Sequence, residues 1–88
     1  MYEWVDVVDV QVLDGYKVHL TFQDGTTGIV DLEPHLQGPV FEPLRDDRQL
    51  FQSVRVDPEA GTIVWPNGAD IAPDTLYQET KMVSASFV

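Results

Sequence analysis

The sequence predicts an α+β domain, an antiparallel β-meander plus a second β-hairpin packed with one or two short helices. Three observations point there. Asp14-Gly15 and Asp24-Gly25 interrupt the β-rich run VQVLDGYKVHLTFQDGTTGIVDL, and Asp-Gly between such runs is a strong hairpin signal. A further pair of β-type segments flanks Asp57-Pro58-Glu59-Ala60-Gly61. Helix-start signals appear at Asp46-Asp47 and again at Pro73.

Taken in order, the first three strands are expected over about Val5–Leu13, Tyr16–Gln23 and Thr26–Leu32. Each Asp-Gly supplies the positive φ angles of a two-residue type I′ turn. In the middle strand Val18, Leu20 and Phe22 share one face and Lys17, His19 and Thr21 the other, so the sheet has one dry side. Pro34, Gly38, Pro39 and Pro43 punctuate a loop whose Leu36, Val40, Phe41 and Leu44 are available for packing. Asp46 or Asp47 then caps a short helix that would press Leu50, Phe51 and Val54 onto the dry side. The second hairpin sets Val54 and Val56 against Ile63 and Trp65, with a type I turn and a glycine bulge between them. Pro73 suits the first turn of a second helix, because its missing N–H would be unpaired there in any case. Residues 1–80 read as a single compact domain, and 81–88, KMVSASFV, as a C-terminal extension, either a strand arm or a frayed end.

Eighty-eight residues suffice for one core, since chains of this size bury roughly 60–65% of their unfolded surface. A composition 43% hydrophobic and 10% aromatic is that of a folded protein. Fifteen acidic against five basic residues give a net charge of −10. The carboxylates are scattered, as on a solvated surface. Lys17, Arg45, Arg48, Arg55 and Lys81 form no basic run, which argues against direct nucleic-acid binding. Electrostatics favours a basic protein partner. The absence of cysteine removes disulfides, iron–sulfur clusters and thiolate chemistry. The opening MYEWVDVVDV has carboxylates where a signal peptide carries basic residues, and no apolar run approaches the ~20 residues of a membrane span. The expected location is the cytoplasm, without membrane attachment.

One stretch, WPNGADIAPDTL from Trp65 to Leu76, is too particular to be filler. Read as a site, Asp70 and Asp74 are paired carboxylates for metal or acid–base work, with Asn67 as a further oxygen donor. Magnesium or calcium would want more oxygens than these. Read as a corner, Pro66-Asn67-Gly68 turns the chain, with Asn67 tolerating an unusual φ, Asp70 bonding backbone N–H groups beyond it, and Asp74 complementing the dipole of the following helix. The corner accounts for more of the residues. Elsewhere the chemistry is sparse. His19 and His35 are expected at the surface, too few and too far apart for zinc. The serines lie in no nucleophile elbow. The glycines are spaced like turns, without a phosphate-binding Lys-Ser or Lys-Thr. Arg45-Asp46-Asp47-Arg48 reads as a capped, solvated helix start. No catalytic residue, metal ligand or cofactor is assigned.

The runs LTFQDGTTGIVDLEPHLQGPVFEPLRD and VRVDPEAGTIVWPNGADIAPDTLY together carry F-x-D-G, D-L-x-P-x-L-x-G-P-V-F-x-P-L and W-P-N-G-x-D-x-x-P-D-x-L-Y. In these patterns the chain resembles the small bacterial family of domain of unknown function 2442. The matching residues are Phe22, Asp24, Gly25, Asp31, Leu32, Gly38, Pro39, Phe41, Leu44, Phe51, Val56, Trp65, Pro66, Asn67, Gly68, Asp70, Pro73, Asp74, Leu76 and Tyr77. The resemblance implies a compact α+β fold and a setting in bacterial regulation or toxin–antitoxin pairs. Some members are fused to a helix-turn-helix, and here such a DNA reader is expected on a separate polypeptide. The resemblance supplies no catalytic residues.

These readings lead to a non-enzymatic protein-interaction or regulatory module, antitoxin-like in partnering a separate small protein. It would bind another protein, a basic one in particular, or itself as a homodimer. The expected contact is a strand edge or the surface around Trp65, Asn67, Asp70, Asp74 and Tyr77. The competing reading is a metal-dependent hydrolase using Asp70 and Asp74. A third, an acidic decoy for a nucleic-acid-binding protein, rests on charge alone.

Overall fold

The computed structural model describes residues 5–85, and side chains as far as Thr80. Strands β1 (Val7–Val12), β2 (Lys17–Phe22) and β3 (Thr27–Asp31) form an antiparallel sheet in the order β1-β2-β3. Strands β4 (Arg55–Asp57) and β5 (Thr62–Val64) form a separate hairpin. A 3-10 turn spans Glu33–His35, and the helices are α1 (Glu42–Asp46), α2 (Arg48–Gln52) and α3 (Pro73–Ala85). The chain is therefore α+β, as its sequence predicts. No helix among the described residues is long and apolar enough to cross a membrane.

The hairpin turns differ from the two-residue form expected. Asp14 and Asp24 keep negative φ, and the left-handed conformation falls only on Gly15 (φ 63) and Gly25 (φ 89). A type I′ turn needs positive φ at both central residues, which costs an L-residue with a Cβ more than it costs glycine. At the second turn Gly25 N–H donates to Phe22 O, and Phe22 N–H donates to Thr26 O. That is a three-residue loop, a type I turn closed by a glycine bulge. One extra loop residue moves the register by one and exchanges the faces of β3. Leu20 consequently pairs with Gly28, and His19 with Ile29. Val30 points into the core at 1% exposure, while Ile29 lies on the outer face at 48%.

A register shift between Val7 and Asp9 breaks the β1–β2 ladder. It puts Val7 and Val10, three positions apart, on the core side and leaves Val8 51% exposed. Val7 N–H leaves the meander and donates to Gly61 O, tying the sheet to the β4–β5 hairpin. Gly61 itself takes φ 71 at the end of the Asp57–Gly61 turn, as the sequence predicts.

The core gathers Val18, Leu20, Phe22 and Val30 from the sheet with Leu32, Leu36, Leu44, Phe51, Ile63, Trp65 and Leu76. Asp47 is the cap of α2, its Oδ1 accepting from Gln49 N–H and Leu50 N–H. Of the three residues expected to press on the dry side, Phe51 is fully buried, whereas Leu50 and Val54 are half-buried and Val54 falls beyond the helix. The expected loop before Asp46 contains α1, entered through a turn at Gly38 (φ 89) and with Pro43 in its first turn. The C-terminal extension differs as well. Residues 81–85 continue α3 in place of a strand arm, and residues 86–88 lie outside the described residues. The segment from Gln78 to Met82 is rich in unbranched helix formers, which favours continuation.

Helix α3 lies close on β3. Leu76 and Thr80, one turn apart, are both buried. A Cβ built at Gly28 would overlap Thr80 Cγ2, so this position in β3 needs a residue without a side chain. Tyr77 packs its ring edge-on against Phe22 with centroids 5.0 Å apart, and its hydroxyl donates to Asp24 Oδ2 at 2.6 Å.

Candidate functional site

The Trp65–Leu76 stretch is built by a turn that sequence reasoning partly foresaw. Gly68 N–H donates to Trp65 O, and Trp65 N–H donates to Ala69 O. Gly68 carries the left-handed conformation (φ 93) and Asn67 does not. Asn67 acts through its side chain: Nδ2 donates to Val40 O at 2.9 Å, and Oδ1 accepts from Ala69 N–H at 3.1 Å. Trp65 is 2% exposed and donates its Nε1–H to Phe51 O at 3.0 Å. Thr62, also buried, donates to Ile71 O. The corner thus joins the α1 approach, α2, the β5 strand and the entry to α3 through main-chain acceptors.

The five residues expected at a binding surface are distributed accordingly. Trp65 supports the corner from beneath, Asn67 bridges two segments at the surface, and Tyr77 docks α3 onto the β2–β3 turn. Asp74 lies half-buried in the first turn of α3, accepting from Thr75 N–H. Asp70 departs from expectation. It is exposed, and its contribution to the corner is a main-chain bridge to Val64 rather than carboxylate bonds to backbone N–H groups. Beyond Asp70 the donors are few, because Pro73 has no N–H, Thr75 N–H goes to Asp74 Oδ1 and Leu76 N–H to Ala72 O. Among the described residues, no group of three or more His, Asp or Glu is placed to hold a metal ion.

Two other clusters have roles that the sequence did not reveal. Arg48 is exposed at the Asp47-capped start of α2, and it also bonds across to the β1–β2 turn. Its Nη2 donates to Leu13 O at 2.9 Å and its Nη1 to Gly15 O, with the guanidinium 5.3 Å from the Phe51 ring centroid. Tyr16 reinforces the same junction by donating to Arg45 O at 2.7 Å. His35 is half-buried, not free at the surface, with Nε2 2.6 Å from Glu79 Oε2. His19 stays on the outer sheet face, half-buried beside Ile29.

The two edges of the meander are unlike. On β1, Val7 N–H is taken by Gly61 O, which holds one end of that edge to the second hairpin, while Leu13 faces β2 through its bond to Lys17 O. On β3, the bonds Leu32 N–H to Tyr16 O and Phe22 N–H to Thr26 O fix which residues face β2. Because bonded pairs alternate along an antiparallel ladder, the main-chain groups of Thr27, Ile29 and Asp31 point away from it. No other strand among the described residues pairs with β3. Beside this open edge is a cavity of about 620 Å³ lined by Val30, Asp31, Pro34, His35, Thr75 and Glu79. Its walls come from β3, the 3-10 turn and α3, and none from β2.

The family described as "Protein of unknown function (DUF2442)" has a model that matches residues 7–81. The chain belongs to the DUF2442 family. No curated protein and no solved structure matches it. The DUF2442 match opens at the first residue of β1 and closes within α3, so it takes in all five strands, the Trp65 corner and the α3–β3 contact.

Proposed function

We propose that this DUF2442 chain is a non-enzymatic, regulatory protein-interaction module that receives an extended segment of another protein on the free edge of β3. The observation that carries the reading is the difference between the edges. The second hairpin holds one end of the β1 edge at Gly61, whereas β3 presents the main-chain groups of Thr27, Ile29 and Asp31 outward, with an exposed β-branched side chain at the centre and a cavity alongside. An unpaired edge is a template for strand addition, in which main-chain hydrogen bonds provide affinity. The Trp65 corner supports this reading from the other side, since Trp65 and Asn67 are engaged in holding segments together. In its antitoxin-like form the module would act in the cytoplasm on a separate small protein.

Affinity purification of the tagged full chain from its native cell, with mass determination of what co-elutes, tests the proposal. The expected result is one stoichiometric protein partner. Recovery of the chain alone, together with a substrate turnover that Asp70→Asn abolishes without lowering the melting temperature, would refute it.

A further inference from the structure

Resting on that reading, we infer that the segment received by β3 is a basic one that alternates apolar with lysine or arginine side chains. A strand added to this edge would lie about 4.8 Å from β3. Its side chains would follow the faces of the β3 residues opposite them. Those opposite Gly28 and Val30 would point toward α3, and the one beside Val30 would enter the 620 Å³ cavity. That side chain is apolar, because Val30, Pro34 and the aliphatic parts of Thr75 would surround it.

The alternate positions fall on the outer face, opposite Thr27, Ile29 and Asp31. Asp31 is exposed there, and Glu33 follows it immediately. Glu79 stands on the cavity wall, held by His35. Three carboxylates therefore border the edge, against one lysine, Lys17, which lies across the ladder from Asp31. Cross-strand pairing with Asp31 favours a cation opposite it, and like charge there is unfavourable. The same argument disfavours a second copy of this chain as the occupant, because each copy carries a net charge of −10.

The test uses the full chain and a fluorescein-labelled, capped peptide, Lys-Thr-Lys-Val-Lys-Thr-Lys, followed by fluorescence anisotropy and amide chemical shifts. Saturable binding is expected, with shifts at Thr27, Ile29 and Asp31 and on the α3 wall at Thr75 and Glu79. A peptide of the same sequence, N-methylated at alternate backbone nitrogens, should bind about tenfold more weakly or worse, the equivalent of about 1.4 kcal/mol for lost main-chain bonds. Replacing its lysines with glutamate should abolish binding.

In the protein, Ile29→Pro removes a donor that points away from β2, a position where an edge strand tolerates proline, and should abolish binding while the β2–β3 ladder persists. Where Ile29→Pro fails to fold, the N-methylated peptide gives the same readout on the unaltered chain. Equal affinity of the methylated peptide, equal affinity of the glutamate peptide, shifts confined to other surfaces, or no binding would each overturn the inference. A mass doubling of the free chain that Ile29→Pro abolishes would assign the edge to a second copy and overturn it too. If a native partner is recovered and Ile29→Pro releases it while the peptide does not bind, only the basic pattern is wrong. If Ile29→Pro retains that partner, the edge itself is wrong.

Discussion

Replacing Gly28 with alanine is the sharpest test of how α3 sits on the sheet. The new Cβ would overlap Thr80 Cγ2, while the next Thr80 atoms, Cβ and Oγ1, stand 3.6 and 3.8 Å away at ordinary contact. Thr80 is buried and donates to Leu76 O, so its side chain is not free to swing aside. Overpacking of this kind costs about 1–3 kcal/mol, partly offset by the ~0.4–1 kcal/mol that alanine gains over glycine through the unfolded chain. The expected net loss is about 1–2 kcal/mol, a fall in Tm of roughly 4–16 °C for a domain of this size. Thr80→Ser removes Cγ2 and keeps the hydroxyl. Alone it should cost about 1 kcal/mol for a lost buried methyl. Combined with Gly28→Ala it should restore much of the stability, giving a favourable coupling of about 1–2 kcal/mol in a double-mutant cycle. Urea unfolding of the four proteins measures it. Additive losses, or a Gly28→Ala protein as stable as the parent, would show that α3 does not lie against β3 as described.

Two further substitutions separate the corner from a catalytic site. Asn67→Ala removes the bonds to Val40 O and Ala69 N–H and should lower stability by about 1–3 kcal/mol in urea unfolding, with faster amide exchange at Ala69. Asp70→Asn alters an exposed carboxylate, and its melting temperature should match the parent because the stability change lies within about 0.5 kcal/mol; a large loss would return that side chain to the framework of the corner.

The signals that were local in the sequence led to local structure that the fold retains. Asp-Gly marked both meander turns, Asp46-Asp47 the start of α2, Gly61 the close of the second hairpin and Pro73 the start of α3. What they did not carry was the length of each loop, because Asp-Gly suits both a two-residue turn and a type I turn with a glycine bulge, and the choice turns on the φ of a single aspartate. That choice decides whether Ile29 or Val30 is inside. The longer-range features had no sequence signature. Arg48 and Asn67 both recognise carbonyl oxygens, at Leu13, Gly15 and Val40, and a main-chain acceptor looks the same whatever residue bears it. His35 and Glu79 lie 44 positions apart. How far an edge of the meander is covered likewise depends on where the second hairpin comes to rest.

The excess of carboxylates over cationic side chains has its own consequence. The chain as a whole carries fifteen carboxylates against five cationic side chains. Self-repulsion is therefore the larger long-range electrostatic effect within the folded protein. Added electrolyte shortens the Debye length to about 10 Å at 0.1 M, which relieves that repulsion. Thermal stability should rise with ionic strength, whereas a complex with a cationic segment should weaken, so the same screening acts on the fold and on its partner in opposite directions.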